Sequence, residues 1–447
     1  MADYTAYSVS WNLTQRCNLV CAHCYMSAFA GADTRGELST EECRRVIDEI
    51  GAINSNVLLI LTGGEPFLRP DLFDVAAYAA DRRFTVVVGT NGLLLREREA
   101  RRMRAAGVLG ASLSLDSTDR ERHDRFRHLP GAWDGALRAT RVLRAEGLDF
   151  SLHMSVTDWN LAEIPGMIDL ARELGAKVLN FFFLVRTGRG ADLTDITPEQ
   201  YERVLTYLAK VQTVPPLGPG GPPDPPRSGG FEDPWSAPVG RVGDLLIRAK
   251  CAPHFRRIIW ELDPTSRLLG NYAHGACPAG KYYCRITPDG DVTPCPYMPV
   301  SAGNLRRASF ADIWRGAPVL EELRERRLGG RCGACEFSKI CGGCRCRAYA
   351  TSGDYLAEDP ACAYQPGAHG GQPIELPPSL TWGLEVTHEI AWEEAARARL
   401  RAVPSFARGM VVRAVEAYAR GRGQAVVTAE VLAQVRAQWG ARFRPRE

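Results

Sequence analysis

Cys17-Asn18-Leu19-Val20-Cys21-Ala22-His23-Cys24-Tyr25 follows an apolar run, Tyr7–Leu13, that reads as a first strand. The C-x3-C-x2-C spacing puts three thiols in one loop, enough to hold three irons of a cubane and leave the fourth without a protein ligand. Four cysteines would close a [4Fe-4S] site. Three keep a coordination position for something reactive, which is a catalytic arrangement. A zinc knuckle and a redox disulfide are the plainer readings. Zinc sites usually take four ligands from paired C-x2-C units, however, and a disulfide has no use for a third thiol.

Outward from this loop, strand and helix patterns alternate to about residue 185. Strand-like runs are Val57–Leu61, Phe84–Thr90, Gly110–Leu115, Phe150–Val156 and Val178–Val185. Helical patterns lie between them at Thr40–Ile53, Leu72–Arg82, Glu97–Ala106, Trp133–Glu146 and Leu161–Leu174, three of them ending at Gly107, Gly147 and Gly175 as C-caps. Six βα units in a row imply an α/β fold with a parallel sheet, partly closed into a barrel. Catalytic residues in such folds sit where strands end, as the cysteine loop does.

The expected layout is a partial barrel over 1–212 and a Pro/Gly-rich linker and bridging segment over 213–275. A cysteine-rich iron–sulfur domain over 276–366, a spacer over 367–380 and a small helical domain over 381–447 follow. In the tail, helical patterns cover Ile390–Leu400, Phe406–Arg420 and Ala429–Gln438, with Thr428 as N-cap of the last.

With 447 residues, 45% hydrophobic and 24% charged, the chain reads as a multidomain globular protein. A net charge of +3 with dispersed arginines gives no nucleic-acid footprint. No apolar stretch reaches about 18 residues and the N-terminus lacks a signal-peptide pattern, so a cytoplasmic location is expected. There the 14 cysteines are metal ligands rather than a disulfide framework. Cys43, on a helical pattern, reads as a buried hydrophobe.

A second motif, Thr62-Gly63-Gly64-Glu65-Pro66, ends the second strand. Its glycines let a ligand approach the backbone, and Glu65 can accept hydrogen bonds from an ammonium group; alone, such a turn can equally be structural. Together the two motifs resemble the radical S-adenosylmethionine superfamily, a partial (βα)6 barrel. In that family the amine and carboxylate of S-adenosylmethionine chelate the open iron, and one electron releases a 5′-deoxyadenosyl radical. The resemblance implies Cys17, Cys21 and Cys24 as cluster ligands and Gly63, Gly64 and Glu65 at the methionine amine. It further implies Asn91, in Thr90-Asn91-Gly92, and Ser114 beside the cofactor, and Tyr25 near its adenine. A serine or asparagine at a strand end is also an ordinary cap.

Nine cysteines lie between 277 and 362, too many to be buried hydrophobes alone; a pair of zinc ribbons is the structural alternative. The C-x12-G-x4-C run (Cys277, Gly290, Cys295), Cys332-x2-Cys335-x5-Cys341 and Cys362 resemble the SPASM extension, which binds one or two auxiliary [4Fe-4S] clusters. That resemblance implies Cys277, Cys284, Cys295 and Cys344 for one cluster and Cys332, Cys335, Cys341 and Cys362 for the other. The family usually has three residues between its next two cysteines. Here Cys341 and Cys344 are separated by two, leaving Cys344 and Cys346 to compete for one role.

The runs around Arg186-Thr187-Gly188-Arg189-Gly190, Cys251-Ala252-Pro253-His254, Cys295-Pro296-Tyr297 and Arg345-Cys346-Arg347 are similar to the branch that modifies heme and heme d1 precursors. This implies a tetrapyrrole substrate whose propionate or acetate arms are decarboxylated or removed. Arg186, Arg189, Arg256 and Arg257 are candidates for those carboxylates, although surface arginines are common. Cys251 and His254 are catalytic or iron-ligating candidates. The tail resembles the C-terminal domain of the protochlorophyllide reductase B subunit, with an amphipathic bundle as the alternative. A reductant such as ferredoxin or flavodoxin is the implied partner. A peptide-modifying SPASM enzyme is the second reading, disfavoured because the first strand begins by Tyr7, with no recognition domain ahead of it. An iron–sulfur carrier is the third.

Overall fold

The computed structural model describes residues 4–213, 245–272, 275–377, 380–382, 388–401, 403 and 405–439. The Pro/Gly-rich run at 213–240 lies, past its first residue, outside the described residues. Strands β1 (Ser8–Asn12), β2 (Leu58–Thr62), β3 (Thr85–Thr90), β4 (Gly110–Ser114), β5 (Asp149–Val156) and β6 (Val178–Phe183) pair in sequence order, all parallel.

Alternation along each strand decides which side chain goes where. In β5, Phe150, Leu152, Met154 and Val156 are buried in the core shared with the helices. Ser151, His153 and Ser155 take the other face and are only partly buried. Parallel register carries that polar face across the sheet: Ser114 pairs with His153 and His153 with Asn180, while Ser155 pairs with Phe182. Over β4 to β6 the inner side of the barrel thus carries Ser114, His153, Ser155 and Asn180, with Phe182 as the bulky apolar member. Helix Thr40–Ile53 has the expected bounds and opens with a capping box between Ser39 and Glu42. Gly107, Gly147 and Gly175 close their helices with φ of 73°, 69° and 80°. Helices Arg120–Arg127 and Pro198–Thr213 are additional to those expected.

Two sections outside the six βα units extend the same sheet. Beyond the linker, β7 (Leu246–Lys250) pairs parallel with β6, so part of the bridging segment belongs to the sheet. A short strand, β8 (Asn271–Tyr272), pairs with Thr381–Trp382. At the opposite edge, β9 (Tyr283–Ile286) lies parallel to β1, and β10 (Asp291–Thr293) and β11 (Gly303–Asn304) follow antiparallel. One ten-stranded sheet therefore runs through both the barrel and the cysteine-rich region.

The tail forms helices Glu394–Arg401, Ser405–Arg420 and Ala429–Trp439 around a core of its own that includes Trp392, Leu400, Val412, Val415 and Val431. Buried Glu416 accepts from Trp392 Nε1 at 2.8 Å. Arg408 joins the tail to the barrel by donating to Asn56 Oδ1 at 2.8 Å. Asn56 precedes β2, at the end of the sheet opposite the cysteine loop.

Candidate active site

The cysteine loop hangs from the C-terminal end of β1. Cys17 and Cys21 are buried and Cys24 is partly buried. Burial pushes the Cys17 thiol up to about 12, and Glu65, Cys21 and Cys24 push in the same direction against the Leu19 N–H. Thiols so placed ionise only with a cation at hand. Donors already face the sulfurs: Leu19 N at 3.4 Å from Cys17 Sγ, and Arg127 Nη1 at 3.6 Å from Cys21 Sγ. Arg127 is itself held by a buried ion pair to Asp116, with Nε 2.6 Å from Oδ2.

Gly63 and Gly64 serve the loop directly. Gly64 N donates to Thr14 O and Glu65 N to Arg16 O, both at 2.8 Å. A Cβ on Gly64 would lie 2.2 Å from Arg16 O, so the glycine is required for one backbone to lie on another. Glu65 is 0% exposed and accepts from Thr90 Oγ1 (2.8 Å), Asn91 N (3.0 Å) and Phe67 N (3.3 Å). Burial nevertheless pushes its carboxyl up to about 7. Asn91 Nδ2 donates to Asn18 Oδ1 at 2.8 Å, tying the end of β3 to the cysteine loop. Ser114 ends β4 beside His153. Tyr25 accepts from Asn12 Nδ2 at 2.8 Å and meets Tyr297 edge-on at 5.3 Å between ring centroids.

The Gly188–Gly190 turn clamps the loop from outside. Arg189 donates to Cys21 O (2.9 Å) and Ala28 O (3.0 Å), and Gly188 (φ 56°) lies against Cys24 and Tyr25 carbonyls. Arg189 is therefore a loop anchor. Arg186 bonds Ala191 O, Arg256 bonds Leu268 O, and buried Arg257 pairs with Glu202 and Glu261. A cationic edge lies elsewhere, on β7. Lys250 faces the barrel interior beside Phe182, with Arg248 and Arg256 close enough to push it down, after burial, to about 7.

The later cysteines form two groups. In the first, Cys344 contacts Cys251 and Cys346, Cys346 contacts Cys295, and Cys277 lies within electrostatic reach of Cys344 and Cys295. The bond from Cys251 and then that from Cys346 hold Cys344 well below the usual thiol range. Cys284 stands apart from this group. It sits on β9 in register with Val9, 0% exposed in the main apolar core, where Arg324 is its charged neighbour. Its strand turns it to the core while β7 brings in Cys251.

The second group is a pocket lined by Cys332, Cys335, Cys341 and Cys362, with His254 and Asp359 on its wall. Here too donors face sulfur: Asp359 N at 3.4 Å and Arg345 Nη2 at 3.6 Å from Cys332 Sγ, and Gly343 N at 3.5 Å from Cys341 Sγ. Buried Arg347 and Asp359, 3.1 Å apart, join the two groups. Arg347 donates to Cys251 O (2.7 Å) and Asp359 accepts from Cys344 N (2.7 Å). Among the described residues no three His, Cys, Asp or Glu side chains close on a single-ion site. The fit to clusters rests on the thiol groupings, the four-cysteine pocket and the donors aimed at sulfur.

A parallel barrel with a three-cysteine loop, a Gly-Gly-Glu turn and two further thiol groups defines an iron–sulfur radical enzyme. The chain belongs to the radical SAM superfamily: that family model matches residues 11–171, and the model for an iron-sulfur cluster-binding domain matches 277–336. Its cofactors are S-adenosylmethionine, the [4Fe-4S] cluster that binds it, and auxiliary clusters. Residues 392–436 match the model for the proto-chlorophyllide reductase 57 kD subunit. The AdoMet-dependent heme synthase of Methanosarcina barkeri is 38% identical, over 80% of this chain and 97% of that protein. The pre-heme d1 synthase of Dinoroseobacter shibae is 31% identical, over 82% and 88%. In fold, Streptococcus suis SuiB bound to S-adenosylmethionine is similar at a TM-score of 0.60 and 15% identity, over 81% of this chain and 78% of that one.

Proposed function

We propose that this enzyme turns radical chemistry on the carboxylate arms of a heme-type tetrapyrrole, decarboxylating or removing a propionate or acetate. The observation that carries this reading is the 38% identity to a heme synthase over 97% of that protein's length. S-adenosylmethionine at the three-cysteine cluster supplies a 5′-deoxyadenosyl radical.

The chain's own residues position the reactants. Cys17, Cys21 and Cys24 hold the cluster, with Arg127 fixing Cys21. Gly63, Gly64, Glu65, Asn91, Ser114 and Tyr25 border the cofactor. Lys250, beside Arg248 and Arg256, binds a substrate carboxylate, because a lysine held near neutrality by burial gains its charge fully against an anion. The edge-on rings of Tyr25 and Tyr297 flank the macrocycle and lead toward Cys251 and Cys295, both within electrostatic reach of Tyr297. Cys251, Cys277, Cys295, Cys344 and Cys346 surround one auxiliary cluster; Cys332, Cys335, Cys341 and Cys362 hold the other. Reducing equivalents come from a one-electron donor of the ferredoxin or flavodoxin class, in the cytoplasm.

Anaerobically reconstituted protein, given reductant and S-adenosylmethionine, is expected to form 5′-deoxyadenosine and to change the mass of iron-coproporphyrin or didecarboxysiroheme. Cofactor cleavage with neither tetrapyrrole altered, but with a peptide encoded nearby modified, would overturn the substrate in favour of a peptide.

A further inference from the structure

His254 is 1% exposed, and neither ring nitrogen has a hydrogen-bond partner in the protein. A buried imidazole without partners is destabilising unless something satisfies it. Its surroundings narrow what that something is. Tyr201 meets the ring edge-on at 5.4 Å, but its hydroxyl is taken up by Asp195 and Arg347. Asp359, the acceptor nearest in chemistry, is occupied by Arg347, Cys344 N and Ala361 N. Cys344 of the first group is within electrostatic reach, and the cavity wall that His254 itself lines is shared with Cys332, Cys335, Cys341 and Cys362.

We infer that His254 is a positioning residue for the iron–sulfur cluster of this pocket, donating its ring N–H to a cluster or cysteinyl sulfur. The inference rests on the reading that the four cysteines hold a cluster there. A donor to sulfur stabilises the reduced form, which carries one more negative charge, and so raises the reduction potential. The pocket supplies four thiols without His254, so the imidazole is not needed as an iron ligand. The pocket it lines includes none of the three cysteines of the first loop, so the role assigned here is one of positioning.

The test is an anaerobic redox titration followed by electron paramagnetic resonance. The background carries Cys17→Ala, Cys21→Ala and Cys24→Ala, which leaves the auxiliary clusters alone. His254→Phe is expected to make reduction of one auxiliary cluster about tenfold less favourable, about 59 mV for one electron. Iron content and the other cluster's potential stay unchanged, and His254→Gln, which keeps an N–H, recovers most of the shift. Unmoved potentials in His254→Phe at full iron content would overturn the inference. So would loss of about four irons in that variant, because His254 would then be a ligand. If Cys332→Ala/Cys335→Ala retains every iron, the pocket holds no cluster, and the inference falls together with the reading beneath it.

Discussion

Replacing Arg127 with methionine tests how the cysteine loop is held. The guanidinium and Asp116 form an ion pair with side chains 8% and 0% exposed, and Arg127 also faces Cys21 Sγ. Methionine roughly preserves volume and leaves Asp116 buried without its cation, although Ser155 N still donates to it at 2.9 Å. Removing one partner of a buried pair costs about 3–5 kcal/mol, or roughly two to three and a half decades in the unfolding equilibrium. Anaerobic urea unfolding at neutral pH measures the loss, and iron content reports the loop. The pH dependence carries a sign. In the parent, burial pushes the Asp116 carboxyl up, but Arg127, His23 and His123 with the Ser155 N–H together outweigh it, so the net pKa lies below the ordinary value. Its contribution to stability is present above the unfolded value, about 4, and fades as pH falls through the folded one. In Arg127→Met the largest contribution opposing burial is gone, so the folded pKa rises and the deficit should shrink as pH is lowered. Adding Asp116→Asn should recover at least half of the loss. A loss below about 1 kcal/mol, or no recovery in the double variant, would refute this account of the loop.

Other expectations concern the remaining parts of the site. Gly64→Ala forces a Cβ to within 2.2 Å of Arg16 O, so about 1–3 kcal/mol and most of the loop's iron should be lost; urea midpoints and iron assays read both. Cys284→Ala should retain all iron, whereas Cys295→Ala/Cys344→Ala, which removes the two thiols that share the most neighbours, should lose about four. Lys250→Met should weaken binding of iron-coproporphyrin about ten- to hundredfold in an absorbance titration, yet leave its methyl ester unaffected. Cys21→Ala should end 5′-deoxyadenosine formation, measured by chromatography.

Local pattern made the barrel legible. Strict alternation in β5 and glycines after helices declare strands and stops without knowledge of neighbours. The three-cysteine loop and Gly-Gly-Glu turn were equally visible, because a motif close in sequence is close in space. The glycines' purpose was not, since the need to pack two backbones together depends on register between β1 and β2. The auxiliary thiols show where spacing stops informing. Cys284 lies on β9 in register with Val9, and Cys251 meets Cys344 only because β7 crosses from beyond the linker to pair with β6. Arg189 carried the charge expected of a carboxylate binder, but its guanidinium is held by peptide carbonyls.

The hydrogen-bond ladder from β9 to β1 acts as a ruler. The strand that roots the cysteine loop is also the strand on which the cysteine-rich region is registered, through four consecutive pairs from Ser8–Tyr283 to Trp11–Ile286. The gaps between electron-carrying sites are therefore set by the pitch of a sheet and not by the swing of a tether. Electron passage weakens steeply with separation. A rate between these sites should then be insensitive to viscosity and to the length of the loop before residue 277, and it should respond sharply to any substitution that slips this ladder by one residue.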